Sequence, residues 1–259
     1  MAEDPNYDEL GLKEIDREKK VRKKKNYLVR FLIVVGVLVG GALFLSSSLF
    51  SINTVQVTGN SYYSDQEVIN MAAAKASGNI FWGTGSSEIK DRLMEDPYFA
   101  DVKVRRKLPH TLVIDVTERK QIAAIVYGSD YIVIDEDGTV LRKTDIDPKV
   151  TLITGLTLSK LTVGESVGVE EKETLKLTLK MLGAMDDGDI YFKRINVSNV
   201  TIKAYIFDTL IVQGTPKEMI KVIKDGDLAK VVNNLLENDT KRGTISIGDH
   251  NYMAFSPDF

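Results

Sequence analysis

Between Phe31 and Phe50 the chain reads FLIVVGVLVGGALFLSSSLF, twenty consecutive residues without a charge. A hydrocarbon core is crossed by roughly 20 residues of helix, and the YLV ahead of Arg30 lengthens the stretch. Arg30 reaches the interface by snorkelling. A core helix of a soluble domain keeps a polar face, and this stretch has none. A cleaved signal peptide carries an apolar run of only about 7–15 residues. Here the run is longer, and about 30 residues precede it. The segment is therefore read as one retained transmembrane helix, residues 28–50.

Charge gives the span a direction. From Arg17 to Arg30 there are eight Lys or Arg and one acid, Glu18; no acid follows until after Ser64, and no Lys or Arg lies between Phe31 and Ala74. Basic flanks stay cytoplasmic, so residues 1–27 read as a cytoplasmic basic tail and residues 51–259 as extracytoplasmic. Contact of the tail with anionic lipid is a by-product. Residues 31–259 hold 25 basic and 30 acidic residues, a net of −5. A mildly acidic exterior argues against a polyanion as main partner, and no nucleic acid is expected.

Catalytic constellations do not emerge. With no Cys there is no disulfide framework and no thiolate site. His110 and His250 are the only histidines, each in an expected turn, one in each external half. A Ser-His-Asp triad or a His-based zinc site needs them held beside other ligands. Gly83-Thr84-Gly85-Ser86 lacks the lysine of a phosphate-binding loop. Asp135-Glu136-Asp137-Gly138 lacks the downstream Glu of a calcium loop. No catalytic, cofactor-binding or metal-binding residue is assigned, and no cofactor is expected.

The first external half alternates by design. SINTVQVTGN, residues 51–60, reads as a strand and turn. Ser64 to Glu67, SDQE, is a capping box. Val68, Ile69, Met71, Ala72 and Ala76 follow at helical spacing, with Gly78 as the stop. NIFWGTGSS is a loop with a buried Phe81–Trp82 anchor and a helix start at Thr84 or Ser86. That helix carries Ile89, Leu93 and Met94 and ends before Pro97. Val102 and Val104 then point one way and Lys103 and Arg105 the other. After a turn set by Pro109, Leu112, Ile114 and Val116 share a face. Arg105, Arg106 and Lys107 form the solvated rim of this hairpin. The order is β-α-α-β-β, with two helices over one face of a small sheet.

INTVQVTGN, the capped helix and DPYFADVKVRRKLPHTLVIDVTER together resemble a POTRA domain. Following a single span, they resemble the FtsQ/DivIB family of bacterial cell-division proteins. The likeness implies a bitopic, single-pass divisome scaffold rather than an enzyme, placed at the division septum. It also implies an α+β architecture: one N-terminal transmembrane helix, a POTRA domain at 51–120 and a C-terminal mixed α/β sheet (β) domain at 121–259.

The second half fits such a β domain. Asp137-Gly138 marks a hairpin. EEKETLKLTLKMLGAM places Leu175, Leu179 and Leu182 on one helical stripe. YFKRINV, VTIKAYIF and TLIVQG read as strands. Thr215-Pro216-Lys217-Glu218 is a capped helix start, and that helix has a weak point at Asp225-Gly226. GTISIG and NYMAFS are two last strands.

A terminal strand near a sheet edge exposes unpaired backbone groups, and such an edge either is protected or recruits another strand. By resemblance, the partner-binding surface is Thr244 to Phe255, with Thr244, Ser246 and Ala254 along it and Tyr252 and Phe255 as aromatic anchors. The alternative for the two aromatics is plain packing on the sheet. The partners implied are small bitopic division proteins of the FtsB/DivIC and FtsL type, other divisome components and the cytoplasmic membrane. Arg105, Arg106 and Lys107 are POTRA surface candidates. The resemblance implies a link between early and late division proteins and a hand in controlling septal peptidoglycan synthesis. The other reading of the chain is a membrane-anchored cell-wall enzyme or envelope sensor with an undetected site.

Overall fold

In a computed structural model that describes residues 26–74, 78–83 and 85–258, helix α1 (Tyr27–Leu45) is continuous and has no buried residue. It is the one helix among the described residues long and apolar enough to cross a membrane. At 1.5 Å per residue it is about 28 Å long, close to the thickness of a hydrocarbon core. Ser46 caps it, its amide donating to the carbonyls of Ala42 and Phe44. A short 3-10 turn, Ser48–Phe50, follows. The basic tail expected at 1–27 lies outside the described residues up to position 25. The chain divides after Ser47 into two units, and the second, from Ser48 on, holds all the rest.

That second unit begins with β1 (Thr54–Thr58), α2 (Asp65–Met71), α3 (Ser86–Met94), β2 (Phe99–Lys107) and β3 (Thr111–Glu118). The sheet order is β1-β3-β2, with β1 parallel and β2 antiparallel to β3. Val68, Ile89 and Leu93 from the helices meet Val102, Leu112, Ile114 and Val116 from the sheet in one buried cluster. These are the hairpin face and helix stripes that the alternation predicts. The capping box is in place, Ser64 Oγ accepting from the Glu67 amide and the Glu67 carboxylate accepting from the Ser64 amide.

Two local expectations fail. Helix α2 ends at Met71, well before Gly78, because Ala73 takes a left-handed conformation (φ 48) and the Ala74 amide reaches back to the Ile69 carbonyl. That 6→1 bond closes the helix, and three alanines give no sequence sign of it. Ala76 and Thr84 lie outside the described residues. Trp82 is not buried: it is 64% exposed. Asn79 Oδ1 accepts from the amides of Phe81 and Trp82 and curls the loop. Phe81 turns in onto Phe50, ring centroids 5.3 Å apart, while Trp82 faces out.

The rest of the unit is built on nine strands. They are β4 (Ala123–Tyr127), β5 (Asp130–Ile134), β6 (Val140–Thr144) and β7 (Thr151–Thr154), with a small β8 (Leu158–Lys160) and β9 (Gly168–Val169) hairpin beside them. After α4 (Lys172–Leu182) come β10 (Arg194–Val197), β11 (Ile202–Tyr205) and β12 (Leu210–Gly214). Helices α5 (Pro216–Lys224) and α6 (Asp227–Glu237) lead to β13 (Gly243–Ile247) and β14 (Met253–Ser256). The order is β14-β13-β12-β11-β10-β7-β4-β5-β6. The break between α5 and α6 falls at Gly226 (φ 71), where the sequence is weakest. The Thr215–Glu218 capping box starts α5. A second hairpin, β4 to β5 across Gly128 (φ 63), goes unread in the sequence.

Alternation decides which face each side chain takes. Ile125, Ile132, Ile153, Ile195, Val212 and Ile245 face the helix layer, against Leu179, Met219, Val222 and Leu228. Ala124, Val133 and Leu141 point the other way and bury Tyr98, which precedes β2. The half built on β1 to β3 therefore docks on the back of the β4-β5-β6 end of the large sheet. Two polar links cross the joint, and a third ties Arg142 to Gln121 just after it. Arg119 Nη1 donates to Asp135 Oδ2 at 2.7 Å. Arg142 Nε donates to the Tyr98 hydroxyl at 3.0 Å, and Arg142 Nη2 to Gln121 at 3.4 Å. The other carboxylate oxygen of Asp135 accepts the amides of Asp137 and Thr139.

Asp135 is almost wholly buried. Removing one member of a buried ion pair costs about 3–5 kcal/mol because the other charge stays desolvated. Arg119→Ala is therefore expected to lower unfolding free energy by about 3 kcal/mol, the partial exposure of this arginine placing it at the low end; urea denaturation measures it. A second expectation concerns alkali. Burial first, then the neighbouring Tyr62, push the Tyr98 hydroxyl from its ordinary 10 up to about 12, against the opposing pull of Arg142. Burial and the hydrogen bond to Asp96 push Tyr63 in the same direction. The unfolded chain then loses these protons first. Their contribution is complete below pH 10 and drains away as pH rises toward 12. Thermal melts should show that fall, and Tyr98→Phe should flatten it.

Candidate functional site: an uncovered sheet edge and its open face

The two ends of the nine-stranded sheet are finished differently. At the β6 end, the Val140 amide donates to the Glu165 carbonyl and the Gly164 amide to the Val140 carbonyl, so residues 164–166 cover that edge. At the other end β14 has β13 on one side and, among the described residues, no strand on the other. An uncovered edge is a template for another strand.

The residues expected to bind partners do not form one patch. β13 and β14 pair with Thr244 opposite Ser256, Ile245 opposite Phe255, Ser246 opposite Ala254 and Ile247 opposite Met253. Thr244, Ser246 and Ala254 thus lie on the face away from the helices. Phe255 and Met253 lie on the helix side and pack against the core. Phe255 is seated over Gly243, whose backbone (φ 139) and missing side chain leave room for the ring; an added Cβ would stand 2.7 Å from it. For Phe255, packing on the sheet is therefore its local role. Tyr252 is different: it precedes β14 and is 69% exposed.

The turn that presents Tyr252 is well fixed. The Gly248 amide donates to the Tyr252 carbonyl, and the Tyr252 amide to the Asp249 carbonyl. His250 and Asn251 are both left-handed (φ 59 and 63), a conformation that Asn tolerates better than most residues. Asn251 also donates to Asp225 at the α5–α6 break, 3.4 Å away. His250 is exposed in this turn.

The open face continues from Ser246 and Ala254 across β12, β11 and β10. It carries Gln213, Lys203, Tyr205 and Arg194, the last with its guanidinium 4.1 Å from the Tyr205 ring centroid. Among the described residues no buried cluster forms on this half, in contrast to the end occupied by Tyr98. Sequence reasoning reached the terminal strands and missed this face, because its polar residues read as ordinary solvated alternation.

The basic tip of the first hairpin is less free than its sequence suggests. Arg105 is ion-paired with Asp115, which also accepts from the Thr58 hydroxyl. The Thr58 bond first, and then Arg105, hold the Asp115 carboxyl below the usual carboxylate range. Arg106 and Lys107 are exposed. The Leu108–Pro109 bond in the turn is cis.

A cleft of about 620 Å³ lies beside α4, lined by Lys172, Lys176, Lys180 and Lys224 with Glu136, Asp137 and Asp187. Its charges are mixed, and none of the expected site residues lines it. Among the described residues no group of three His, Cys, Asp or Glu is placed to hold a metal.

Comparison with known proteins gives this geometry its setting. The family model described as POTRA domain, FtsQ-type, matches residues 50–119. Cell division protein DivIB of Clostridium acetobutylicum is 26% identical over 208 residues, 79% of this chain and 82% of that one. Its counterpart in Clostridium botulinum (strain Hall) is 25% identical over 252 residues, 95% of each chain. DivIB of Bacillus subtilis is 22% identical over 232 residues, 89% of this chain and 84% of that one. The solved major extracytoplasmic domain of the trans isomer of DivIB from Geobacillus stearothermophilus aligns at 12% identity and a TM-score of 0.30, over 46% of this chain and 97% of that one. That superposition is too loose to bear on the fold. The FtsQ-type POTRA match and relatives that run most of the length of the chain agree: residues 50–119 match an FtsQ-type POTRA domain, and the chain is similar along most of its length to the bacterial cell-division protein DivIB.

Proposed function

We propose that this chain is a non-catalytic, single-pass scaffold of the divisome. Residues 1–27 are cytoplasmic, 28–50 form the span, and the POTRA domain (51–120) and β domain (121–259) stand outside the membrane at the division septum. The extracytoplasmic part binds small bitopic division proteins of the FtsB/DivIC and FtsL type. Through them it links early and late division proteins and helps control septal peptidoglycan synthesis.

The observation that carries the reading is the uncovered β14 edge. A partner strand added there continues the backbone ladder, and alternate side chains supply specificity. Tyr252, exposed at the entrance to the strand, is an aromatic anchor of the kind that dominates interface energies. Thr244, Ser246 and Ala254 line the adjoining face. Arg106 and Lys107 offer a separate POTRA contact, with Arg105 already engaged by Asp115.

The fold separates binding from stability at this edge. Tyr252→Glu should abolish co-purification of the two small partners from detergent-solubilised membranes. It should change unfolding free energy by less than about 0.5 kcal/mol, as surface substitutions do. Phe255→Glu should lose both, at a stability cost of about 2 kcal/mol for a half-buried aromatic. Undiminished capture by Tyr252→Glu, or uniform membrane distribution of a tagged copy in dividing cells, would sink the proposal.

A further inference from the structure

The exposed tryptophan has no place in the edge-binding role. Trp82 is the single Trp of the chain and stands outside the POTRA core. Its loop is tied by backbone bonds to the first residues after the span. The Ile80 amide donates to the Phe50 carbonyl at 2.7 Å, and the Ile52 amide to the Gly78 carbonyl at 2.7 Å. Ser51 and Asn79 form an isolated β-bridge. Phe81 sits on Phe50, and Trp82 sits beside Phe81 with ring centroids 6.3 Å apart.

Connectivity sets the distance from the bilayer. Phe50 is five residues beyond Leu45, the last residue of α1, so even a fully extended link spans no more than about 18 Å. Leu49, in the same link, is 62% exposed. An exposed Trp and Leu, held by a hydrogen-bonded loop at the exit of a membrane span, match the amphipathic side chains that collect at membrane–water interfaces. No Lys or Arg occurs between Phe31 and Ala74, so the contact is apolar and dipolar rather than electrostatic.

We propose that the 79–83 loop places Trp82 in the outer-leaflet interface, so that the POTRA domain is attached to the phospholipid surface at a second point besides the span. The inference rests on α1 being a membrane span. Two attachment points restrict how the extracytoplasmic part swivels about the link at residues 46–50, and so restrict where the β14 edge is presented.

The test uses the full chain in phosphatidylcholine vesicles, with Trp82 as the only indole. Its emission should be blue-shifted, largely lost when the lipids carry brominated acyl chains, and resistant to iodide in the water. A second probe, Leu49→Trp in a Trp82→Phe background, should respond alike. Carbonate-resistant protein whose Trp82 is quenched by iodide and not by brominated lipid would overturn the inference while leaving the span intact. Protein washed off the vesicles by carbonate would overturn the span and the inference together.

Discussion

The joint at Glu118 and Arg119 organises the part of the chain beyond α1. The Glu118 carboxylate accepts the amides of Ser61, Tyr62 and Tyr63, fixing the turn that leads into α2. The next residue, Arg119, reaches across to the buried Asp135, which in turn holds the Asp135–Thr139 turn between β5 and β6. Two consecutive residues thus close the POTRA sheet and clamp it to the large sheet. Tyr98 fills the space between, its amide and carbonyl held by Asp96 and Arg119. A buried carboxylate with three donors is tolerable only while all three are present.

That joint has a consequence for the sheet. It consumes the back of the β4-β5-β6 end, and residues 164–166 consume its edge. The helix layer covers the front. Among the described residues, what is left uncovered is the opposite end: the β14 edge and the back of β10 to β14. The sheet is thus polarised between an anchored end and an available one. The availability of β14 follows from where everything else is already paired.

Much of this was legible in sequence because the signals are local. The long apolar helix follows from an uncharged run, and the POTRA hairpin from strict alternation on both sides of Pro109. The capping boxes at Ser64 and Thr215 each need only two residues three apart. The failures have equally physical causes. Ala73 ends α2 through a left-handed turn that no helix-breaking residue announces. Trp82 looks like a core residue by type, but the Asn79 turn directs it outward. Phe255 and Tyr252 look alike in sequence, and only register sends one to the core over Gly243 and leaves the other exposed.

By itself the sequence determined the long apolar helix, the β-α-α-β-β order, the helix starts and the alternating faces, since each depends on neighbours within a turn or a strand. Only the tertiary structure decided which edge stays open, which aromatic is exposed and which packs on the core, and that Arg105 is already held by Asp115. Those outcomes depend on partners ten or more residues away, and the Glu118 turn depends on partners more than fifty away. Sheet order and the docking of one domain on another set them, and neither is written in any local pattern.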